Sequence, residues 1–183
     1  MNAVHTAAGE PAKYVTFQLS GDMFALEISK VREVLDLTAI TKVPQTPPFM
    51  RGVINLRGSV VPVVDFRRKF DMGEMEETRD SRILIVEINV DNEVTVLGAV
   101  ADAVRDVIDL TPQDISPPPR IGTRLNTEFI KGIGKQDETF LIILDIDRVF
   151  TFDEISRAKG MEQSMNFTAS ETEIPVQDAS ARS

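Results

Sequence analysis

The sequence predicts a mostly β protein: two small five-stranded SH3-like β-barrel lobes related by internal duplication, followed by a short C-terminal helix. Repetition is the first observation behind this. Val31-Arg-Glu-Val-Leu-Asp-Leu-Thr38 returns as Val104-Arg-Asp-Val-Ile-Asp-Leu-Thr111, 73 residues on. Phe49-Met-Arg-Gly-Val53 returns as Phe129-Ile-Lys-Gly-Ile133, and Val63-Val-Asp65 as Ile143-Leu-Asp145, both 80 residues on. The slip from 73 to 80 is a loop insertion that includes Pro117-Pro118-Pro119. The second observation is texture. Apolar stretches are short, turn residues punctuate them, and prolines at 44, 47, 48, 112 and 117 to 119 forbid long helices. Each copy is near the lower size limit for a domain that folds alone, so the halves are expected to share a core.

Residues 1–12 have no periodicity and read as a flexible tail. Val15, Phe17 and Leu19 then alternate with Thr16 and Gln18, Ser20-Gly21-Asp22 supplies a turn, and Met23 to Ile28 resumes in extended form, giving a hairpin. The second copy opens likewise, with Ile83 to Val90, a turn at Asp91-Asn92 and a strand from Val94 to Val100. In the repeated octet, Val31, Val34 and Leu35 have helical spacing while the β-branched content favours a strand; a helical turn at Ile28 to Val31 running into a strand satisfies both. Val53 to Leu56, a turn at Arg57-Gly58 and Val60 to Phe66 form another hairpin, with Pro62 expected at an edge or a bulge. Its counterpart is Ile133, a turn near Lys135-Gln136-Asp137, and Phe140 to Ile146. Gly58 and Gly132 are expected to serve turns. Thr151-Phe-Asp-Glu154 has the form of a capping box opening a short helix that packs Ile155 and Ala158 against a barrel.

The resulting map is a domain over 13–153, with lobe 1 at about 13–72 and lobe 2 at about 83–150, a helix over 151–161 and a disordered tail over 162–183. The repeat itself does not say whether the lobes exchange strands.

Composition narrows function. At 42% hydrophobic, 183 residues can bury a core, yet no apolar run approaches the roughly 20 residues of a spanning helix. The N-terminus lacks the order of a secretion signal, so a cytoplasmic protein without membrane insertion is expected. With 29 acidic against 20 basic residues the net charge is −9, which repels a phosphate backbone and argues against nucleic acid as a partner. The run Arg67-Arg68-Lys69 reads as a solvated edge. There is no Cys, and the single His is His5 in the tail, which removes Cys-His and Ser-His catalysis and thiolate or imidazole metal sites. Asp145 and Asp147, two apart on the last predicted strand, read as edge solubility. Gly132-Ile-Gly134 lacks the remainder of any phosphate-binding motif and reads as a turn. The expectation is a binding module: no enzyme, no cofactor, no metal. An RNA-binding barrel, stacking bases on Phe17, Phe49 and Phe66, is the rival from another class.

Over Gly52 to Arg67 the sequence resembles the CheW family of bacterial chemotaxis coupling proteins, on Asn55-Leu-Arg-Gly58 followed by Pro62 and Asp65. The likeness extends from about Lys13 to Asp153 and takes in Lys30-Val-Arg-Glu33, the Thr-Pro-Pro-Phe approach at 46 to 49, Asp102, Val104 and Gly132. The resemblance implies two five-stranded barrels and a non-catalytic adaptor, cytoplasmic and recruited to receptor arrays. Such a protein links the cytoplasmic tips of methyl-accepting chemoreceptors to the histidine kinase CheA, whose regulatory domain shares the fold and docks barrel to barrel. By family position the receptor's helical hairpin lies in a groove between the lobes, with Val15, Ile28, Val31 and Val34 on one wall and Val100 and Val104 opposite. Glu33 and Arg57 match a charged pair that shapes the groove and touches the receptor. The resemblance leaves the kinase-binding residues unassigned. A coupling protein for surface motility or development fits the same pattern.

Overall fold

The computed structural model describes residues 10–73, 76–118, 127–151, 153–158 and 160. Among the described residues, eleven strands run in the order β1 Ala12–Leu19, β2 Asp22–Glu27, β3 Val31–Asp36, β4 Met50–Leu56, β5 Ser59–Asp65, β6 Arg82–Val90, β7 Glu93–Ala101, β8 Ala103–Leu110, β9 Ile115–Ser116, β10 Ile130–Gln136 and β11 Thr139–Leu144. Two short helices, α1 (Phe66–Lys69) and α2 (Ile146–Val149), follow β5 and β11, and residues 153–158 are helical. The predicted helical turn before β3 is a 3-10 turn over Ile28–Lys30. Phe66 and Ile146, expected at strand ends, instead open α1 and α2.

The sheets do not follow the two sequence copies. One has the order β3-β6-β7-β5-β4, the other β8-β1-β2-β11-β10-β9. The first hairpin, β1 and β2, thus sits among strands of the second copy, and the equivalent hairpin β6 and β7 sits among strands of the first. The lobes are five-stranded units that exchange hairpins reciprocally, the second extended by the two-residue β9. Boundaries at 72 and 83 therefore mark sequence copies, not lobes. Each exchanged hairpin makes the same two seams: antiparallel to the repeated octet (β6 on β3, β1 on β8) and parallel to the last strand of the other copy (β7 on β5, β2 on β11).

This arrangement buries both faces of the central strands. In β6, Ile83 and Ile85 point into the interior of their own lobe with Ile54, Val61, Val63 and Val100. Leu84, Val86 and Ile88 point the other way, into a large core that also takes Val15, Phe17, Leu19, Phe24 and Leu26 from the second lobe. The second lobe has its own interior around Tyr14, Ala25, Ile108, Leu110, Leu141 and Ile143. Two barrel interiors with a shared core between them explain why the strands read as apolar runs rather than a clean alternation. Phe17 stacks on Phe24 and Phe66 at ring separations of 5.9 Å, inside the shared core. Phe17 and Phe66 are fully buried and Phe49 packs against that core, so these rings are not available to stack bases.

The hairpin turns obey local chemistry. Ser20-Gly21, Arg57-Gly58 and Asp91-Asn92 place both turn residues at positive φ, the geometry that matches strand twist. The fourth turn is at Asp137-Glu138, one residue past the expected centre. Pro62 is neither at an edge nor at a bulge. It lies within β5 in register with Val53, and the ladder to β7 begins only at Val63. Gly132 is not a turn residue either. Gly52 and Gly132 occupy equivalent bulged positions in β4 and β10, where a connecting segment crosses close by. Thr41 bonds Val53 in both directions at 2.9 and 2.8 Å, and a Cβ at Gly52 would overlap the Thr41 carbonyl. At Gly132 a Cβ would fall 2.5 Å from Ile115 Cγ2 and 2.9 Å from the Ser116 carbonyl oxygen.

Asp65 is buried and caps α1, its Oδ1 accepting from the backbone N–H of Arg67 at 2.9 Å and of Arg68 at 3.4 Å. Its Oδ2 has no hydrogen-bond donor, and the Arg51 guanidinium lies 3.8 Å away. Burial pushes the carboxyl above its ordinary pKa against the pull of these donors. The expected capping box before the last helix is present, with Thr151 N–H to Glu154 Oε1 at 2.8 Å and Glu154 N–H to Thr151 Oγ1 at 3.2 Å.

Two outcomes are expected. Gly52→Ala should cost about 3 kcal/mol or more in urea unfolding, because positive φ and overlap act together, whereas Gly21→Ala, which meets open space, should cost about 1 kcal/mol. Asp65→Asn keeps the capping oxygen and removes the charge. Because the folded-state pKa is raised, Asp65 favours folding most at low pH, and that advantage is lost as pH rises through the folded value. Urea unfolding of both proteins from pH 4 to 8 should show wild type losing ground to Asp65→Asn as pH rises.

Candidate functional site

The site begins with a bulge. In the β3 ladder, Val31 pairs with Val86 and Glu33 with Ile85, leaving Arg32 as the extra residue. In the β8 ladder, Val104 pairs with Phe17 and Val107 with Val15, and Arg105 and Asp106 together oppose Thr16. Thr16 Oγ1 fills that gap by donating to the Asp106 carbonyl at 2.8 Å and accepting from its N–H at 2.9 Å. An extra residue reverses the alternation. Val31 and Val34 consequently share the face whose neighbours Val86 and Leu84 line the shared core, while Glu33 and Leu35 turn with Ile85 and Ile83 toward the lobe interior. The i, i+3 valine spacing that looks helical is the spacing of a bulged strand.

On the shared-core face, Val31 and Val104 are half-buried and pack against the core, whereas Val34 is 40% exposed and Val107 is 51% exposed. Ile28, in the 3-10 turn leading into β3, is 41% exposed. Two residues expected on the groove walls are not on any surface. Val15 is buried in the shared core, beneath Val107 in the ladder. Val100 pairs with Ile83 and is sealed in the lobe interior, on the face opposite to the shared core. The space between the lobes is filled by core, so the available surface is the rim formed by the bulged strands. Val107 was missed, although its signal was available: it stands 73 residues after Val34 in the octet.

The other face of β3 carries the charged pair. Arg57 Nη1 donates to Glu33 Oε2 at 2.6 Å and Nη2 to Oε1 at 2.8 Å, a two-pronged bridge from β3 to the β4–β5 turn. The turn supports it, since Asn55 Oδ1 accepts the Gly58 N–H at 2.8 Å and Gly58 takes φ +87°. Arg57 itself has φ +51°, an unfavourable region for a side chain of its kind. Here it directs the guanidinium across the open end of the lobe. A pocket of about 320 Å³ lies beneath, lined by Arg32, Glu33, Leu56, Arg57, Val60 and Val96 among others. Arg57 is 71% exposed at its side chain, so the bridge is a surface feature that shapes the pocket mouth and adds little to stability. The hydrogen bonds from Arg57 hold the Glu33 carboxyl below its ordinary pKa. Arg32, also at the pocket, has its Nε 3.0 Å from Glu87 Oε1 and adds a smaller pull on the Glu33 carboxyl.

The remaining chemical candidates have structural roles. Asp145 follows β11 as the N-cap of α2, and Asp147, inside α2, receives Lys30 Nζ and the Asn89 N–H, both at 2.8 Å. In the basic run, Arg67 faces Asp102 at 3.4 Å and Lys69 is bonded to Glu154. Among the described residues no group of three or more His, Cys, Asp or Glu side chains is placed to hold a metal ion, and no helix is long and apolar enough to cross a membrane.

The bridge predicts a titration. Since the folded pKa of Glu33 is lowered, the pair is complete above the ordinary carboxylate pKa and is lost as pH falls through the lower folded value. Carboxyl carbon shifts of Glu33 followed by NMR should give a higher midpoint in Arg57→Ala than in wild type, with little change in melting temperature.

Comparison with known proteins agrees with this architecture. The family profile for the CheW-like domain matches residues 13–154. The chemotaxis protein CheW of Klebsiella aerogenes is 32% identical over 163 residues, covering 88% of this chain and 96% of that one. That of Bacillus subtilis is 34% identical over 138 residues, covering 75% and 85%. Protein FrzA of Myxococcus xanthus is 30% identical over 131 residues, covering 72% and 79%. The crystal structure of the scaffolding protein TtCheW from Thermoanaerobacter tengcongensis superposes with a TM-score of 0.70 at 38% identity, covering 79% of this chain and 90% of that one. With the duplicated fold, the Asn-Leu-Arg-Gly turn and a profile match over most of its length, the chain belongs to the CheW family.

Proposed function

We propose that the protein is a non-catalytic adaptor that couples the cytoplasmic tips of methyl-accepting chemoreceptors to the regulatory domain of a CheA-type histidine kinase. It acts in the cytoplasm, within receptor arrays, and regulates the kinase by contact alone. One observation carries the reading: the bulged edge strand β3 presents exposed Val34 on one face, continued by exposed Ile28 of the preceding 3-10 turn, and holds the Glu33–Arg57 bridge on the other. A helical hairpin presents an apolar stripe with flanking polar groups, and an edge strand with a strip of branched aliphatic side chains on one face and a fixed charged pair on the other is complementary to it. Half-buried Val31 forms the base of that strip, and Val104 with exposed Val107 offers the equivalent strip on the second lobe. Regulation then requires that the adaptor contact active and inactive arrangements of the kinase unequally.

A second reading keeps the coupling role but changes the output to surface motility or development. What favours it is that a relative sharing 30% identity is called Protein FrzA and not a chemotaxis protein. Soft-agar swimming and surface spreading of a strain lacking the gene separate the two.

The adaptor reading is tested by pull-down with a soluble receptor-tip fragment and, separately, the kinase regulatory domain. Wild type should capture both. Val34→Glu, checked for folding by circular dichroism, should weaken receptor capture about tenfold or more and leave kinase capture intact. Arg57→Ala should weaken receptor capture selectively. Wild type binding neither partner, or Val34→Glu binding the receptor tip as wild type does, would overturn the assignment.

A further inference from the structure

A largely buried charged cluster outside this rim is at Lys69, the last residue of α1. Its ammonium lies 4.9 Å from the ring centre of Phe49 and 5.6 Å from those of Phe129 and Phe150. It also donates to both oxygens of Glu154, at 2.9 and 2.7 Å. The two side chains are only 13% and 19% exposed, a desolvated setting in which ring and carboxylate contacts with a cation are strong.

The surroundings are two-fold symmetric and the lysine is not. Phe49 meets Phe150 at 6.0 Å and 43°, and Phe70 meets Phe129 at 5.8 Å and 42°. These residues are repeat partners 80 apart, one pair preceding β4 and β10, the other following α1 and α2. The repeat partner of Lys69 is Val149, which is fully buried. Lys69 thus has no cationic counterpart at its repeat position, and it stands where residues 153–158 meet the lobes through Glu154. There Glu154 does two things with one carboxylate: Oε1 accepts the Thr151 N–H of the capping box as well as the ammonium. Ile155 and Ala158, on the same helix, are buried in the core shared by the lobes.

We infer that Lys69 is a positioning residue for the adaptor: through Glu154 and the three phenylalanine rings it fastens the C-terminal helix over the seam and so stiffens the lobe orientation that the exchanged hairpins and shared core set, on which holding two partners at once depends. The inference rests on the adaptor reading for its consequence, but the fastening has its own readout. Removing one member of the pair leaves the other as a poorly compensated charge and loosens the cap.

The experiment uses the full chain as wild type, Lys69→Met, Glu154→Gln and Lys69→Arg. Hydrogen exchange should accelerate about tenfold or more in residues 153–158 of Lys69→Met and Glu154→Gln, with the β6 amides unchanged and Lys69→Arg recovering much of the protection. Each partner fragment alone should be captured as by wild type, while the three-component complex on size-exclusion chromatography is reduced. Unchanged exchange in 153–158, uniform acceleration of all amides, or a wild-type yield of the three-component complex from Lys69→Met would overturn the inference. A wild type that forms no three-component complex would instead overturn the adaptor reading, and with it the role of Lys69 in assembly.

Discussion

The structure depends on one constraint: neither sequence copy can cover its own strands. Each hairpin that opens a copy is paired with strands of the other copy, so the central strands of each lobe are buried on both faces. A unit of roughly 60 residues buries only about 60% of the surface of its unfolded chain and is marginal by itself. Exchange turns two marginal units into one body. The stacked rings of Phe17, Phe24, Phe66 and Phe70 run through the shared core. The paired rings of Phe49 with Phe150 and Phe70 with Phe129 repeat the same geometry on both sides of the seam.

Function is built where this plan meets solvent. The octet that begins with Val31 and Val104 forms the outermost strand of each lobe in the sheet order, and its bulge turns two valines toward the shared core and one acidic residue away. Because the inner valine of each pair is anchored by packing, the outer one is held in place at the rim rather than projecting from a loop. On the first lobe the bulge also brings Glu33 within reach of Arg57. The corresponding position on the second lobe is Asp106, and the residue 80 after Arg57 is Asp137, so no such bridge can form there. The lobes are thus near-symmetric with unequal ends, as the proposed role with two different partners requires.

Much of this was legible in the sequence, and the exceptions have physical causes. The repeat, the hairpins and the capping box follow from local chemistry that a sequence displays directly. The reciprocal exchange does not, because a strand has the same pattern whichever copy it pairs with. Val15 and Val100 were misplaced for a related reason: when both faces of a strand are covered, alternation no longer separates surface from core. Val31 and Val34 looked helical because a bulge adds one residue and converts a spacing of two into three. Gly132 was read as a turn from its residue type, yet its need for hydrogen at Cα comes from Ile115 and Ser116, which lie nearby only in the folded chain. Lys69 reads as part of a solvated basic edge, yet it is largely buried, because its partner Glu154 is 85 residues away in the chain and meets it only in the fold.

Hairpin exchange and the shared core make the two lobes one rigid body, and the proposed adaptor role requires that fixed geometry. Because the chain contains no cysteine, a pair introduced at exposed Ser59 and Thr139, the first residues of β5 and β11, can be spin-labelled without background. Electron-electron double resonance should give one narrow distance distribution that is unchanged by adding the receptor-tip fragment or the kinase domain. A broad or two-peaked distribution in the free protein would contradict the account.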